Sequence, residues 1–170
     1  MTTFLLIVAG GALKLEGEDS LGFSKKLESF LKENSEALGV EGVNREGVTL
    51  FFRLSSLNVH LEPSLLKAEL EAESGQEGPG LNWLTLFAFF RVKDEYKRGE
   101  GAAAVAGWVN DVNSTFNFCT FFLDEDGDLG VKASLPFDEE LSLGELRGFF
   151  QTFVAATLAT IVSSGSEFVE

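Results

Sequence analysis

The chain has 170 residues, 45% of them hydrophobic and 24% charged, which is enough for one well-buried core and too few for two ordinary domains. Its 27 acidic and 13 basic side chains give a net charge of −14, which repels phosphate backbones and anionic headgroups and attracts basic protein surfaces. Direct nucleic-acid binding and membrane association are therefore not expected, and the single cysteine, Cys119, excludes an internal disulfide and a cysteine-built zinc site and fits a reducing cytoplasm.

Residues 1–18 read as an N-terminal extension. Its run "FLLIVAGGAL" lacks a preceding basic region, and Phe4–Ala9 is too short to span a membrane, so a candidate extra strand is the better reading. From Asp19 to Gly39, Leu27, Phe30, Leu31 and Leu38 share one stripe, with Lys25, Lys26, Glu28, Lys32 and Glu33 opposite. That spacing predicts a first helix, capped by Ser20 or Ser24 and stopped at Gly39 in the left-handed conformation.

After "VEGVNREG" come three extended segments, "VTLFFRLSSLNVHLEP", "SLLKAELEAE" and "LNWLTLFAFFRVK". In the second, Leu66, Ala68, Leu70 and Ala72 alternate with Lys67, Glu69, Glu71 and Glu73, the period of a strand with one wet face. The third places Trp83, Phe87 and Phe89 on one side and Leu84, Leu86, Ala88 and Phe90 on the other, so both its faces call for cover. The Glu73–Gly80 loop between them is polar and rich in glycine.

A second helix is expected from about Ala102 to Asn113, with Val105, Trp108, Val109 and Val112 on one stripe and a small-residue start that allows close approach. Two strands follow, "TFNFCTFFLD" and "DLGVKASLPFD", joined through Asp126-Gly127, a short-hairpin signal in which both turn positions need positive φ. Ser142 and Glu145 have capping-box spacing at the start of a third helix, which carries Leu143, Leu146, Phe149, Phe150, Phe153, Val154, Leu158, Ile161 and Val162. Residues 166–170 read as a tail.

The chemical candidates are few. "DEDGD" offers Asp124, Asp126 and Asp128, but as an EF-hand loop from Asp124 it has Leu129 where the sharp turn needs Gly and Leu135 where a bidentate Glu is needed, so it reads as a solvated hairpin tip. Paired acids on a wet turn also lack the pocket that would drive their pKa values apart for catalysis. His60 has no nucleophile context nearby, and Cys119 in "FNFCTFF" reads as inert filler. No dinucleotide or phosphate-loop glycine pattern occurs, and no cofactor is implied.

The order helix, three strands, helix, two strands, helix, together with "WVNDVNSTFNFCTFFLDEDGDLGVKASLPFDEELSLGELRGFFQTFV", resembles the YbjN family of bacterial proteins, which is similar in fold to type III secretion chaperones. The resemblance rests on Asn110 and Asn113, Phe116 to Phe122, Asp126 to Asp128, Leu135-Pro136, and Ser142 onward; it covers about residues 20–163, its specific part is Trp108–Val154, and residues 19–165 read as one domain. It implies an α+β domain with a twisted, mainly antiparallel sheet, and a non-enzymatic, often dimeric regulator or chaperone-like adaptor. By that analogy the second helix and the strand after it, with Trp108, Phe116, Phe118 and Phe121, are the candidate dimer contact.

Two strands apolar on both faces, where one layer of helices hides only one, independently favour a partner subunit. Leu27, Phe30 and Leu31 on helix one and Phe51 on the sheet are candidate contacts for a protein partner with a basic or nucleic-acid-associated surface, steered by the acidic charge. The rival expectation is a small-ligand sensor with a Phe-lined pocket, for which Asn110, Asn113, Asn117 and Thr120 are the polar candidates.

Overall fold

A computed structural model of the protein describes residues 11–14, 19–72, 82–115 and 118–170. Strands β2 (Val40–Glu46), β3 (Thr49–Leu54), β4 (Leu65–Ala72), β5 (Asn82–Phe90), β6 (Thr120–Leu123) and β7 (Leu129–Phe137) form one antiparallel sheet in the order β2-β3-β4-β5-β7-β6. A separate two-stranded ribbon joins β1 (Ala12–Lys14) to β8 (Glu140–Ser142). Helices α1 (Ser20–Glu33), α2 (Ser35–Leu38), α3 (Ser55–Asn58), α4 (Gly99–Thr115) and α5 (Leu143–Thr160) complete this α+β fold.

The first helix follows the apolar stripe but divides in two. Asn34 ends α1 by donating from its side chain to the Phe30 carbonyl at 2.9 Å, and Gly39, at φ 65°, closes α2. The N-cap is Asp19, whose carboxylate accepts from the Gly22 amide at 2.7 Å, and not Ser20 or Ser24. Ser24 instead turns inward and donates to the Val48 carbonyl at 2.6 Å, tying α1 to the β2–β3 turn. Arg45 on β2 adds a second tie, reaching Glu28 on α1 at 2.9 Å.

"VEGVNREG", expected to be a connection, is strand β2. It pairs with β3 through a two-residue loop opened by Gly47 at φ 61°, with a bulge between Glu41 and Asn44. Its burial pattern lacks clean alternation because it is an edge strand with a bulge, so periodicity alone does not reveal it. The first extended segment is correspondingly shorter than expected, ending at Leu54 where α3 begins.

Helix α5 carries the capping box that the sequence announces: the Ser142 amide donates to Glu145 Oε2 at 2.8 Å, and the Glu145 amide donates to Ser142 Oγ at 3.1 Å. Leu143–Gly165 has the length and apolarity of a membrane span, yet Leu146, Phe149, Phe150 and Phe153 are buried in the core, and Phe150 stacks on Phe52 of β3. Phe23 of α1 stacks on Phe137 of β7, and Trp108 of α4 meets Phe121 of β6 edge to face. These three long helices thus cover the same face of the sheet, the one carrying Leu50, Phe52, Leu66, Ala68, Leu84, Leu86, Ala88, Phe90, Val131 and Ala133, all buried.

Residues 166–170 are part of this fold and not a tail. After a π turn at Ile161–Gly165 the chain returns to the end of β5: Val169 bridges to Val92, the Lys93 amide donates to the Phe168 carbonyl at 2.9 Å, and the Glu170 amide to the Arg91 carbonyl at 2.9 Å. Phe168 fills the space between Tyr96 and Trp108. A side chain on Gly165 would meet the Trp108 ring at 2.5 Å, so only glycine allows this close crossing. Small residues serve the same end at the start of α4, where a Cβ on Gly101 would lie 2.3 Å from the Glu95 carbonyl oxygen.

Candidate interaction face

Antiparallel pairing puts opposed residues on the same side of the sheet, which defines the face turned away from the helices. One row runs Leu65, Phe89, Gly130, Phe122; the next runs Phe51, Lys67, Phe87, Lys132, Thr120; then Glu69, Thr85, Ser134; then Glu71, Trp83, Pro136. Trp83, Phe87, Phe89, Phe122 and Phe51 are half-buried on this face, and Leu65 is 40% exposed. The doubly apolar character of β5 is therefore resolved asymmetrically: Leu84, Leu86, Ala88 and Phe90 enter the core, and the rings opposite them line the outer surface.

Three of those rings, Phe87, Phe89 and Phe122, form a continuous ladder. Phe87 and Phe89 stack at 6.4 Å, and Phe89 meets Phe122 edge to face at 5.8 Å. Phe122 can lie flat because Gly130 sits beneath it; a Cβ there would come within 2.2 Å of the ring. Lys67 Nζ lies 5.1 Å from the centre of Phe87 and 6.0 Å from that of Phe89, while Lys132 Nζ lies 6.0 Å from that of Phe122. Lys67 also bonds Glu69 at 2.6 Å, and Thr85 and Ser134 share a hydrogen bond of 2.8 Å. Such a face offers apolar contact area with a few fixed charges.

The residues expected at a dimer contact are placed elsewhere. Phe121 is 1% exposed, Trp108 packs on Phe121 and Phe168 and donates from Nε1 to Ser164 at 2.9 Å, and Phe118 is 39% exposed with its edge against Phe149. Phe116 lies outside the described residues, as do most of residues 1–18 and the Glu73–Gly80 loop. Of the expected partner contacts, Leu27, Phe30 and Leu31 are buried in the chain's own core, so a partner would reach them only by displacing α1. An amphipathic stripe looks the same in sequence whether a sheet or a second protein covers it. Phe51 alone stands on the outer face.

The polar groups suggested for a ligand pocket do not converge. Asn113 is consumed by the backbone of β6, its side chain donating to the Phe121 carbonyl and accepting the Phe121 amide, each at 2.8 Å. Asn110 and Thr120 are exposed, and Asn117 lies outside the described residues. An open cleft of about 630 Å³ lies instead between the α1–α2 junction and the first turn of α5, lined by Glu33, Asn34, Ser35, Glu36, Ala37, Leu143, Gly144 and Arg147.

"DEDGD" is a hairpin tip, but not the two-residue turn expected. The Asp124 amide donates to the Asp128 carbonyl at 2.9 Å, leaving a three-residue loop in which Gly127 takes φ 78° and Asp126 keeps negative φ. Asp124 Oδ1 accepts the Asp126 and Asp128 amides at 2.9 and 2.8 Å, which closes the turn without a second left-handed residue. Asp128 Oδ1 reaches out of the hairpin to Lys97 Nζ at 2.7 Å and the Val92 amide at 2.9 Å. Burial pushes the Asp128 carboxyl up, but the Lys97 ammonium and the Val92 amide outweigh it and hold the group below its usual range. The same contact raises Lys97.

His60 is exposed just after α3. Burial pushes the Cys119 thiol up to about 11, partly offset by the Thr157 hydroxyl beside it. Among the described residues no group of three His, Cys, Asp or Glu side chains is placed to hold a metal ion.

The YbjN family model, described as "Putative bacterial sensory transduction regulator", matches residues 79–161, from β5 through α5. Over these residues the chain matches a YbjN domain. The match contains Trp108–Val154, on which the resemblance in sequence rests, and it also takes in the ladder strands β5, β6 and β7. A crystal structure of "YbjN, a putative transcription regulator from E. coli" superposes with a TM-score of 0.57 at 13% identity, covering 86% of this chain and 94% of that one. At that identity the likeness establishes the fold. No curated protein matches the chain.

Proposed function

We propose that this YbjN-domain chain is a non-enzymatic regulatory module that works by binding protein, as a homodimeric, chaperone-like or adaptor component. The observation that carries the reading is the outer sheet face, where Phe87, Phe89 and Phe122 form a ladder of rings and Trp83 stands two rows further along β5, on the side of the sheet opposite α1, α4 and α5. A contiguous apolar patch held on rigid strands is what a protein contact needs, and aromatic rings carry a large share of such binding energy. The description of the family as a regulator and the net charge of −14 agree with a cytoplasmic protein whose other partners have basic surfaces.

The test is affinity capture from the source cell with the unaltered chain and with the double variant Phe87→Ser/Phe122→Ser, after circular dichroism has established that both fold. A specific protein retained by the first and lost by the second supports the reading. Equal capture by both, or tight salt-sensitive binding of a bare DNA oligonucleotide, overturns it.

A further inference from the structure

We propose that the recess between β3 and β4 is a binding site for a small carboxylate with an apolar body, and that Arg53 holds the carboxylate. Neither the ring ladder nor a protein partner is needed for it.

The recess exists because the sheet comes apart at this place. Strands β4 and β5 pair continuously from Leu65 to Ala72, but β3 and β4 pair only at Leu50–Ala68 and Phe51–Lys67. Beyond Phe51, β3 stays with β2, to which Arg53 and Leu54 pair, and β4 stays with β5, to which Leu65 and Leu66 pair. The two strands part, and the chain that joins them supplies Asn58, Glu62 and Pro63 to the walls of the gap. An open recess of about 320 Å³ is left, with Phe51, Pro63 and Leu65 on its apolar side and Arg53, Asn58 and Glu62 on its polar side. That is at the small end of ligand pockets, with room for roughly ten non-hydrogen atoms at the ~30 Å³ that a water molecule takes in the liquid.

The fixed charge sets the class of ligand. Asn58 holds Arg53 in place, its Oδ1 accepting from Nε at 2.7 Å and from Nη2 at 3.2 Å. Glu62 Oε1 accepts from the same Nη2 at 3.2 Å, and Nη1 has no partner among the described residues. The guanidinium is therefore oriented but keeps an unused donor. The Glu62 side chain is 73% exposed, and a solvated pair of this kind holds weakly. Glu62 thus stands where a ligand carboxylate would bind, and it gives way to one that also brings apolar surface against Phe51 and the half-exposed Leu65. A cationic ligand finds no equivalent, because the one acid in the recess is already neutralised by Arg53.

Two-dimensional amide NMR of the full chain, titrated with phenylacetate, octanoate and the neutral phenylacetamide, reads the site directly. Both carboxylates should shift the amides of Phe51 to Arg53 and of Ser64 to Leu66 and saturate below about 1 mM, with phenylacetamide at least about tenfold weaker. Arg53→Gln should weaken both carboxylates by about tenfold or more, and Arg53→Lys should not restore them, because a point charge lacks the planar fork that Asn58 orients. Glu62→Gln should act in the opposite sense and tighten both by about two- to fivefold, because it removes the competing carboxylate. A residue that only stabilised the fold would not do so, and this variant leaves Arg53 intact, so it decides the matter even where Arg53→Gln fails to fold. No saturable shift with either carboxylate up to about 10 mM, equal binding of phenylacetamide, a folded Arg53→Gln that binds unchanged, or a Glu62→Gln that does not bind more tightly each overturns the inference.

Discussion

Asp128 joins the hairpin tip to the far end of β5, and two substitutions separate its two bonds. Asp128→Asn keeps an oxygen for the Val92 amide but removes the charge that holds Lys97 at 2.7 Å. Both side chains are 21% exposed, between a solvated pair worth under about 1 kcal/mol and a buried one worth several, so a loss of about 1 kcal/mol is expected. Asp128→Ala also strips the acceptor from the Val92 amide, in a residue that is 0% exposed, and an unpaired buried amide adds about 1–3 kcal/mol. For a chain of this size these losses lower Tm by about 3 °C and about 6–12 °C. The charge also fixes a pH window. Because the folded state lowers the Asp128 pKa, its contribution is present above the unfolded carboxyl value of about 4 and disappears as pH falls through the lower folded value. Because the fold raises the Lys97 pKa, that contribution is present below about 10.4 and is lost as pH rises through the higher folded value. Urea unfolding followed by tryptophan fluorescence should therefore show a constant gap between the unaltered chain and Asp128→Asn from about pH 5 to 9, closing toward pH 3. A gap as wide at pH 3 as at pH 7, or equal losses for Asn and Ala, would refute this account.

Asn113→Ala removes two backbone bonds at the start of β6 and should cost about 1–3 kcal/mol in the same urea assay. Gly130→Ala drives the Phe122 ring off β7, so near-ultraviolet circular dichroism should change, with a stability loss of about 1–3 kcal/mol; an unchanged aromatic spectrum would contradict the ladder geometry. Cys119, with its thiol raised to about 11 and 2% exposed, should resist Ellman's reagent at pH 8 until urea unfolds the chain.

Local chemistry was legible wherever it is self-contained. The capping box at Ser142 and Glu145, the left-handed stop at Gly39 and the hairpin at Asp124–Asp128 depend on residues within a few positions of each other, and each appears where its pattern stands. The two apolar faces of β5 were equally visible, because strand alternation is a property of the chain itself. What the sequence could not decide is which apolar face meets which element. Leu27, Phe30, Leu31 and Phe121 have the pattern of a contact surface, and the fold buries them against its own sheet; Phe87, Phe89 and Phe122 have the pattern of core, and the fold leaves them on the face opposite the helices. Periodicity reports that a side is apolar and says nothing of its cover, which follows from α1, α4 and α5 crossing to a single side of the sheet. Long-range partners follow the same rule: Ser24 could cap a helix by its position in sequence, but only the approach of the β2–β3 turn draws its hydroxyl to Val48, and only the return of the chain to Arg91 and Val92 turns residues 166–170 from a tail into part of the core.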